Sequence, residues 1–291
     1  MKAFILKINP EGKLLEQWDF GLMLDFLNGN LWKTANWHNF EIEEVEKLPE
    51  TDTAIVFIAG RHNAGFEKTI NKQLSKIKKV VFFVMGDEEG VFNLDLIEHK
   101  NIYKWVQNPN PNKHDAYFRI GTGYPKRMKF DKEFKAKDIN LFFSGQITHN
   151  RRKDMQYTLD TDMANYYKEV NYTDGFTKGY EPDIYYDLIQ RTVIMPCPSG
   201  AVVPDSFRLF EALEGMAIPI ADEVSPDGTI TNYWDWLFKQ ITPFPKITDW
   251  FSLLAVYNEA FASQIELRHK ITAWYIKYKR DLAYKIMEQL Q

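Results

Sequence analysis

Two stretches of this 291-residue chain carry residue types and spacings suited to holding an anion. The first runs Pro204-Asp205-Ser206-Phe207-Arg208-Leu209-Phe210-Glu211. Pro-Asp-Ser is a helix start, with Asp205 or Ser206 as the N-cap, and such an end offers unpaired N–H groups and the positive pole of the helix dipole. Arg208 and Glu211 stand three apart and so share one helix face. An arginine there can grip a phosphate, and a glutamate one turn on can accept two hydrogen bonds from a ribose diol. The second stretch runs from Gly145 through His149, Arg151, Arg152 and Lys153. A glycine directly after a strand lets the backbone approach a phosphate closely, and the basic run supplies charge.

Both stretches must hang from strands. Residues 3–8 read as a strand with a turn at 9–12, followed by a helical apolar pattern through Phe20, Leu22, Met23, Leu24, Phe26 and Leu27 that stops at Asn28-Gly29. The near-continuous apolar runs 53–59 and 79–85 suit strands buried on both faces of a parallel sheet, with a helix over 66–77 between them and a last strand at 102–106. Turn-rich segments at 107–112 and 121–125 interrupt this series and place a domain boundary near 122. A second β/α series follows: a strand at 139–144, helices around 151–167 and 181–190, a strand at 192–195, a helix at 206–214 and a strand at 217–221. From Trp250 onward the pattern is helical. The expected architecture is α/β, with two doubly wound Rossmann-like domains facing each other across a cleft.

The segment Asp205-Ser206-Phe-Arg208-Leu-Phe-Glu211-Ala-Leu-Glu-Gly215-Met-Ala-Ile-Pro219 resembles the donor-binding segment of exostosin-like glycosyltransferases of the two-Rossmann (GT-B) type. Phe142-Phe143-Ser144-Gly145 followed by Arg151-Arg152 is similar to the start of that family's second domain, and Tyr185-x-x-Leu188 with Met195-Pro196-Cys197-Pro198-Ser199-Gly200 is similar too. The match covers roughly 139–222 and thins out in the first 120 residues. The resemblance implies a nucleoside-diphosphate sugar as donor substrate, a UDP-sugar first, and a hydroxyl acceptor. It places Glu211 on the ribose and Arg208 with Arg151 or Arg152 on the diphosphate, with Gly145, Ser199, Asp205 and Ser206 completing the donor site. It also leads one to expect domains at 1–122 (acceptor side) and 123–270 (donor side), with the helix 271–291 packing back on the first.

An inverting transferase needs a base for the acceptor hydroxyl. Asp19, in the loop where several GT-B enzymes carry theirs, is the first candidate, although it also suits a helix N-cap. Asp87, after the strand at 79–85, is the second, and His62 the third. Asp160-Thr161-Asp162 spells the metal clasp of another glycosyltransferase fold but does not follow a hydrophobic strand, so no divalent metal or other cofactor is expected. A single cysteine, Cys197, excludes internal disulfides and cysteine-rich metal clusters.

The net charge of -4 gives no global pull toward nucleic acid or membrane. No apolar run approaches the ~18 residues of a membrane helix, and the N-terminus lacks a signal-peptide pattern, so membrane insertion is not expected and a cytoplasmic location is. Basic residues nonetheless cluster at 124–137 and 268–285. The second cluster is interleaved with Trp274, Tyr275, Tyr278 and Tyr284, aromatics expected to pack the last helix onto the first domain. What the resemblance implies for the acceptor is a glycan or glycolipid precursor first, or, as in small GT-B enzymes that glycosylate modified bases in phage DNA, a hydroxymethylated base held along the basic faces. The alternatives are a nucleotide-sugar epimerase or hydrolase on the same frame, and a non-catalytic nucleotide- or glycan-binding protein.

Overall fold

A computed structural model describes residues 1–12, 14, 20–29, 40–126, 128, 135–175 and 178–291. The chain divides into two units: Met1–Lys126 with Lys277–Gln291, and Arg127–Ile276. Each is built on one parallel sheet flanked by helices.

In the first unit the elements follow in the order β1 (Lys2–Leu6), α1 (Gly21–Leu27), β2 (Glu41–Val45), β3 (Thr51–Ala59), α2 (Gly60–Asn63), α3 (Glu67–Leu74), β4 (Ile77–Met85), β5 (Ile102–Gln107), α4 (Pro111–His114) and β6 (Phe118–Ile120). The sheet order is β2-β1-β3-β4-β5-β6, with every neighbouring pair parallel. Strands β3 and β4 are the apolar runs of the sequence. Alternation sends Phe57, Phe83, Trp105 and Phe118 to one face, where the in-register rings stack at 4.9, 5.5 and 5.0 Å between centroids. Val56, Phe82 and Val84 fill the opposite face with Ile70 and Leu74 of α3. Strands β2 and β6 escape the sequence pattern. The first has glutamate at three of its five positions and is partly exposed at the sheet edge, and the second has three residues, too few for a period to register.

The second unit contains β7 (Ile139–Gly145), α5 (Asn150–Asp160), β8 (Lys168–Tyr172), α6 (Pro182–Arg191), β9 (Thr192–Cys197), α7 (Phe207–Glu214), β10 (Ile218–Asp222), α8 (Tyr233–Phe238), β11 (Lys246–Ile247) and α9 (Leu253–Ala262). The sheet order is β11-β10-β9-β7-β8, again all parallel. Helix α5 ends at Asp160 rather than running to 167, because β8 begins at Lys168 and needs the intervening residues as its turn. The last helix, α10 (Gln264–Leu290), contributes to both units. Its aromatics divide accordingly, which corrects the expectation that all of them pack on the first domain. Trp274 meets Phe238 and Phe244 at 4.9 and 5.6 Å, and Tyr275 meets Phe210, all within the second unit. Tyr278 packs against the core of the first unit beside Leu282, Ala283, Ile286 and Leu290, while Tyr284 is exposed. No described helix is long and apolar enough to cross a membrane.

Candidate functional site

In the second sheet the chain leaves β7 for β8 on one side and reaches β9 on the other. The carboxyl ends of β7 and β9 therefore border the point where strand order reverses, the place where open parallel sheets collect ligands. Six of the residues singled out in the sequence end there: Gly145, Arg152, Ser199, Asp205, Ser206 and Arg208.

The loop after β9 is shaped by Gly200, where a Cβ would fall 2.3 Å from the Asp205 carbonyl oxygen. The Gly200 N–H donates to Val203 O at 3.0 Å, which closes the turn and delivers Ser206 to the start of α7. Ser206 occupies the N-cap position, but its side chain does not supply the cap expected there. The Ser206 hydroxyl donates instead to Pro198 O at 3.0 Å, tying the helix start to the end of β9. Asp205 itself is buried. His149, at the N-cap of α5, makes no side-chain cap either. Neither helix has an acidic residue in its first turn, and each carries arginine there. Positive side chains at the positive pole of a helix are unfavourable by ~0.3–1 kcal/mol unless an anion offsets them.

The three arginines have different partners. Arg151 is spent on Asp222, at the end of β10: its Nε reaches both carboxylate oxygens, at 3.0 and 2.8 Å, and its Nη2 reaches Oδ1 and the Thr248 carbonyl. Asp222 is fully buried and also accepts from Trp250 Nε1 at 2.9 Å, Val224 N at 3.1 Å and Ser199 N at 3.3 Å. Arg208 is paired with Glu211, Nη1 to Oε2 at 2.6 Å, and lies against Gly145, where a Cβ would stand 3.2 Å from Nη2. Arg152 donates to carbonyl oxygens alone: Ser199 O at 3.2 and 3.0 Å and Gln146 O at 2.9 Å. It bridges the loops after β7 and β9. Burial and the nearby Arg208 cation pull its pKa down to about 10, so it remains charged at neutral pH. Arg151 and Arg208 are each hydrogen-bonded to a carboxylate, whereas among the described residues Arg152 hydrogen-bonds none and meets Asp222 only as a longer-range charge.

Beside it, His149 Nε2 lies 3.2 Å from Ser199 O, a contact that requires the proton on Nε2 and leaves Nδ1 an acceptor. Burial, and then Arg152, lower the His149 pKa, which keeps the ring neutral. Its Nδ1 and the Ser199 hydroxyl are both buried without a hydrogen-bond partner, a cost of ~1–3 kcal/mol each when nothing is bound. Glu211 is 2% exposed, and its Oε2 already accepts from Tyr185 and Arg208. Lys153 is exposed.

The candidate bases are less informative. Asp19 lies outside the described residues. Asp87 follows β4 and is 1% exposed, with Oδ1 and Oδ2 accepting from Val91 N at 3.0 Å and Phe92 N at 2.9 Å. Burial raises its pKa, and its visible work is to close the loop after β4. His62 sits in α2, its carbonyl accepting from Asn9 Nδ2 at 2.6 Å. Asp160 ends α5 and accepts from Tyr172 Oη at 2.9 Å, and Asp162 lies in the following turn. Among the described residues no group of three His, Cys, Asp or Glu could hold a metal ion.

Sequence reasoning missed Asp222 and gave Tyr185 no role. Asp222 carries one local signal, a carboxylate closing an apolar strand of the second sheet. Tyr185 carries none beyond its spacing. No protein-family model matches this chain, and a search of curated proteins finds no match.

Proposed function

We propose that the protein is a glycosyltransferase that binds a nucleoside-diphosphate sugar at the carboxyl edge of the second sheet and passes the sugar to a hydroxyl acceptor. The observation that carries this reading is Arg152, a guanidinium hydrogen-bonded to no carboxylate, beside Arg208 and between two helices with no acid in their first turns and no cap from their N-cap side chains. A diphosphate has the charge to match that arrangement and the oxygens to accept from both guanidiniums. Sugar transfer releases a nucleoside diphosphate, and cations with helix N-termini aimed at the leaving group lower the barrier by stabilising the charge that develops on it. The resemblance of residues 139–222 to exostosin-like enzymes supplies the sugar-transfer chemistry; the geometry supports the anion.

The test is calorimetry of the protein against UDP, GDP, CDP and ADP, with Arg152→Ala alongside. One nucleotide is expected to bind, and the variant to lose ~10- to 100-fold in affinity, the usual worth of a charge-assisted contact. Incubation with sugar conjugates of the preferred nucleotide should then release nucleoside diphosphate when a hydroxyl acceptor is present. No binding of any of the four, or equal binding by Arg152→Ala, would sink the proposal.

A further inference from the structure

Building on the phosphate site just proposed, we infer that Tyr185 and Glu211 are positioning residues that hold the Arg208 guanidinium in place for the ligand's phosphate. The sequence suggested that Glu211 binds ribose; the geometry around it points elsewhere. Tyr185, on α6, donates its hydroxyl to Glu211 Oε2 at 2.6 Å, and Arg208 Nη1 donates to the same oxygen at 2.6 Å. The guanidinium carbon lies 5.5 Å from the centre of the Tyr185 ring, a cation–π distance. Gly145 also borders it, and its missing Cβ leaves the room that Nη2 and Nε occupy. A carboxylate, a ring and a glycine backbone thus restrain one guanidinium together.

Of the two charged partners, only Arg208 reaches the surface: its side chain is 23% exposed and that of Glu211 3%. The carboxylate is turned inward, with one oxygen already serving two donors. Burial in the first place holds the Tyr185 hydroxyl well above its ordinary pKa, so it stays a donor throughout the neutral range. Phe142 of β7, 5.7 Å away, fixes the ring in turn. An arginine side chain left free loses rotamer entropy when it clamps an anion, and a pre-set guanidinium has already lost it. Tyr185 should therefore affect anion affinity only through Arg208.

A double-mutant cycle with pyrophosphate as the probe tests this, using wild type, Tyr185→Phe, Arg208→Met and the double variant, each checked by thermal melting. Tyr185→Phe keeps the ring beneath the guanidinium and deletes only the hydroxyl. It is expected to weaken pyrophosphate binding about five- to tenfold in the presence of Arg208, and not at all beyond the loss already suffered by Arg208→Met. Glu211→Gln, the second variant, should show the same dependence on Arg208. An equal loss in both backgrounds would assign Tyr185 a role independent of Arg208, and unchanged affinity in Tyr185→Phe and Glu211→Gln would remove the role; either result overturns the inference alone. Wild-type protein that binds neither pyrophosphate nor a nucleotide would overturn it together with the proposed function.

Discussion

Arg151 and Arg152 are adjacent in the chain and chemically identical, yet their surroundings give them opposite work. Arg151 neutralises Asp222, 71 residues away, whereas Arg152 hydrogen-bonds only carbonyl oxygens. Arg151→Ala would leave a fully buried carboxylate without its cation, and such a break costs ~3–5 kcal/mol. The variant is expected to unfold at lower denaturant than Arg152→Ala, which gives up its carbonyl hydrogen bonds but leaves no buried carboxylate without its hydrogen-bonded cation, and which loses anion binding. The reverse pattern would exchange the two roles. The sequence offered both as phosphate ligands because local spacing cannot say which arginine finds a carboxylate on another strand. It could not commit Glu211 to Tyr185 either, since the two lie on different helices and meet only once β7 and β9 bring α6 and α7 together.

At the scale of elements, the starts of α5 and α7 frame the proposed anion site, and the glycines set how closely the chain approaches it. A Cβ at position 145 would stand 3.2 Å from Arg208 Nη2 and 3.3 Å from Phe143 Cζ. Gly145→Ala should therefore push the guanidinium aside by a few tenths of an ångström. The expected loss in diphosphate affinity is about three- to tenfold, measured by calorimetry with the melting temperature as control. The other end of α7 is held by Lys137, whose Nζ donates to Gly215 O at 2.6 Å. Burial, and then Arg268, lower the Lys137 pKa from 10.5 to about 7. Between those values the unfolded chain binds a proton that the folded protein does not, so this group makes stability rise with pH across that window and lowers it as the pH falls toward 7. Unfolding titrations at pH 7 and pH 9 should show that rise in wild type and a smaller one in Lys137→Met. Equal slopes would mean that Lys137 is charged in the fold. The central strands and most helices were legible because their apolar runs are long, while the short or polar β2, β6, β8 and β11 were not; nor was the capping of α7, since an N-cap hydroxyl can donate to a carbonyl instead of accepting from a helix N–H.

Over the whole chain, two parallel sheets each carry their own core, and α10 serves both units. Its last residues belong to the first unit: Leu282, Ala283, Ile286 and Leu290 are buried in that core, and Trp105 Nε1 donates to Gln289 Oε1 at 2.8 Å. Removing residues 277–291 would expose the core face of β3 to β6. At ~1.5–3 kcal/mol for each large apolar side chain, the loss is on the order of 5 kcal/mol, comparable with the stability of a whole domain. Hydrogen exchange should then show the amides of β3 and β4 losing protection while those of β7 and β9 keep theirs. Retained protection in β3 and β4 would show that the first unit does not need the segment.

The sequence by itself determined the two β/α series, the doubly wound class of each sheet and the positions of the loops that could hold an anion. Those features follow from hydrophobic period and from glycine, proline and capping residues, all of which act over a few neighbouring positions. Tertiary structure decided which arginine is neutralised, which carboxylate is turned inward and which polar atoms are buried without partners. These outcomes depend on pairings between residues tens of positions apart, and only the packing of strands and helices brings such residues within hydrogen-bonding distance.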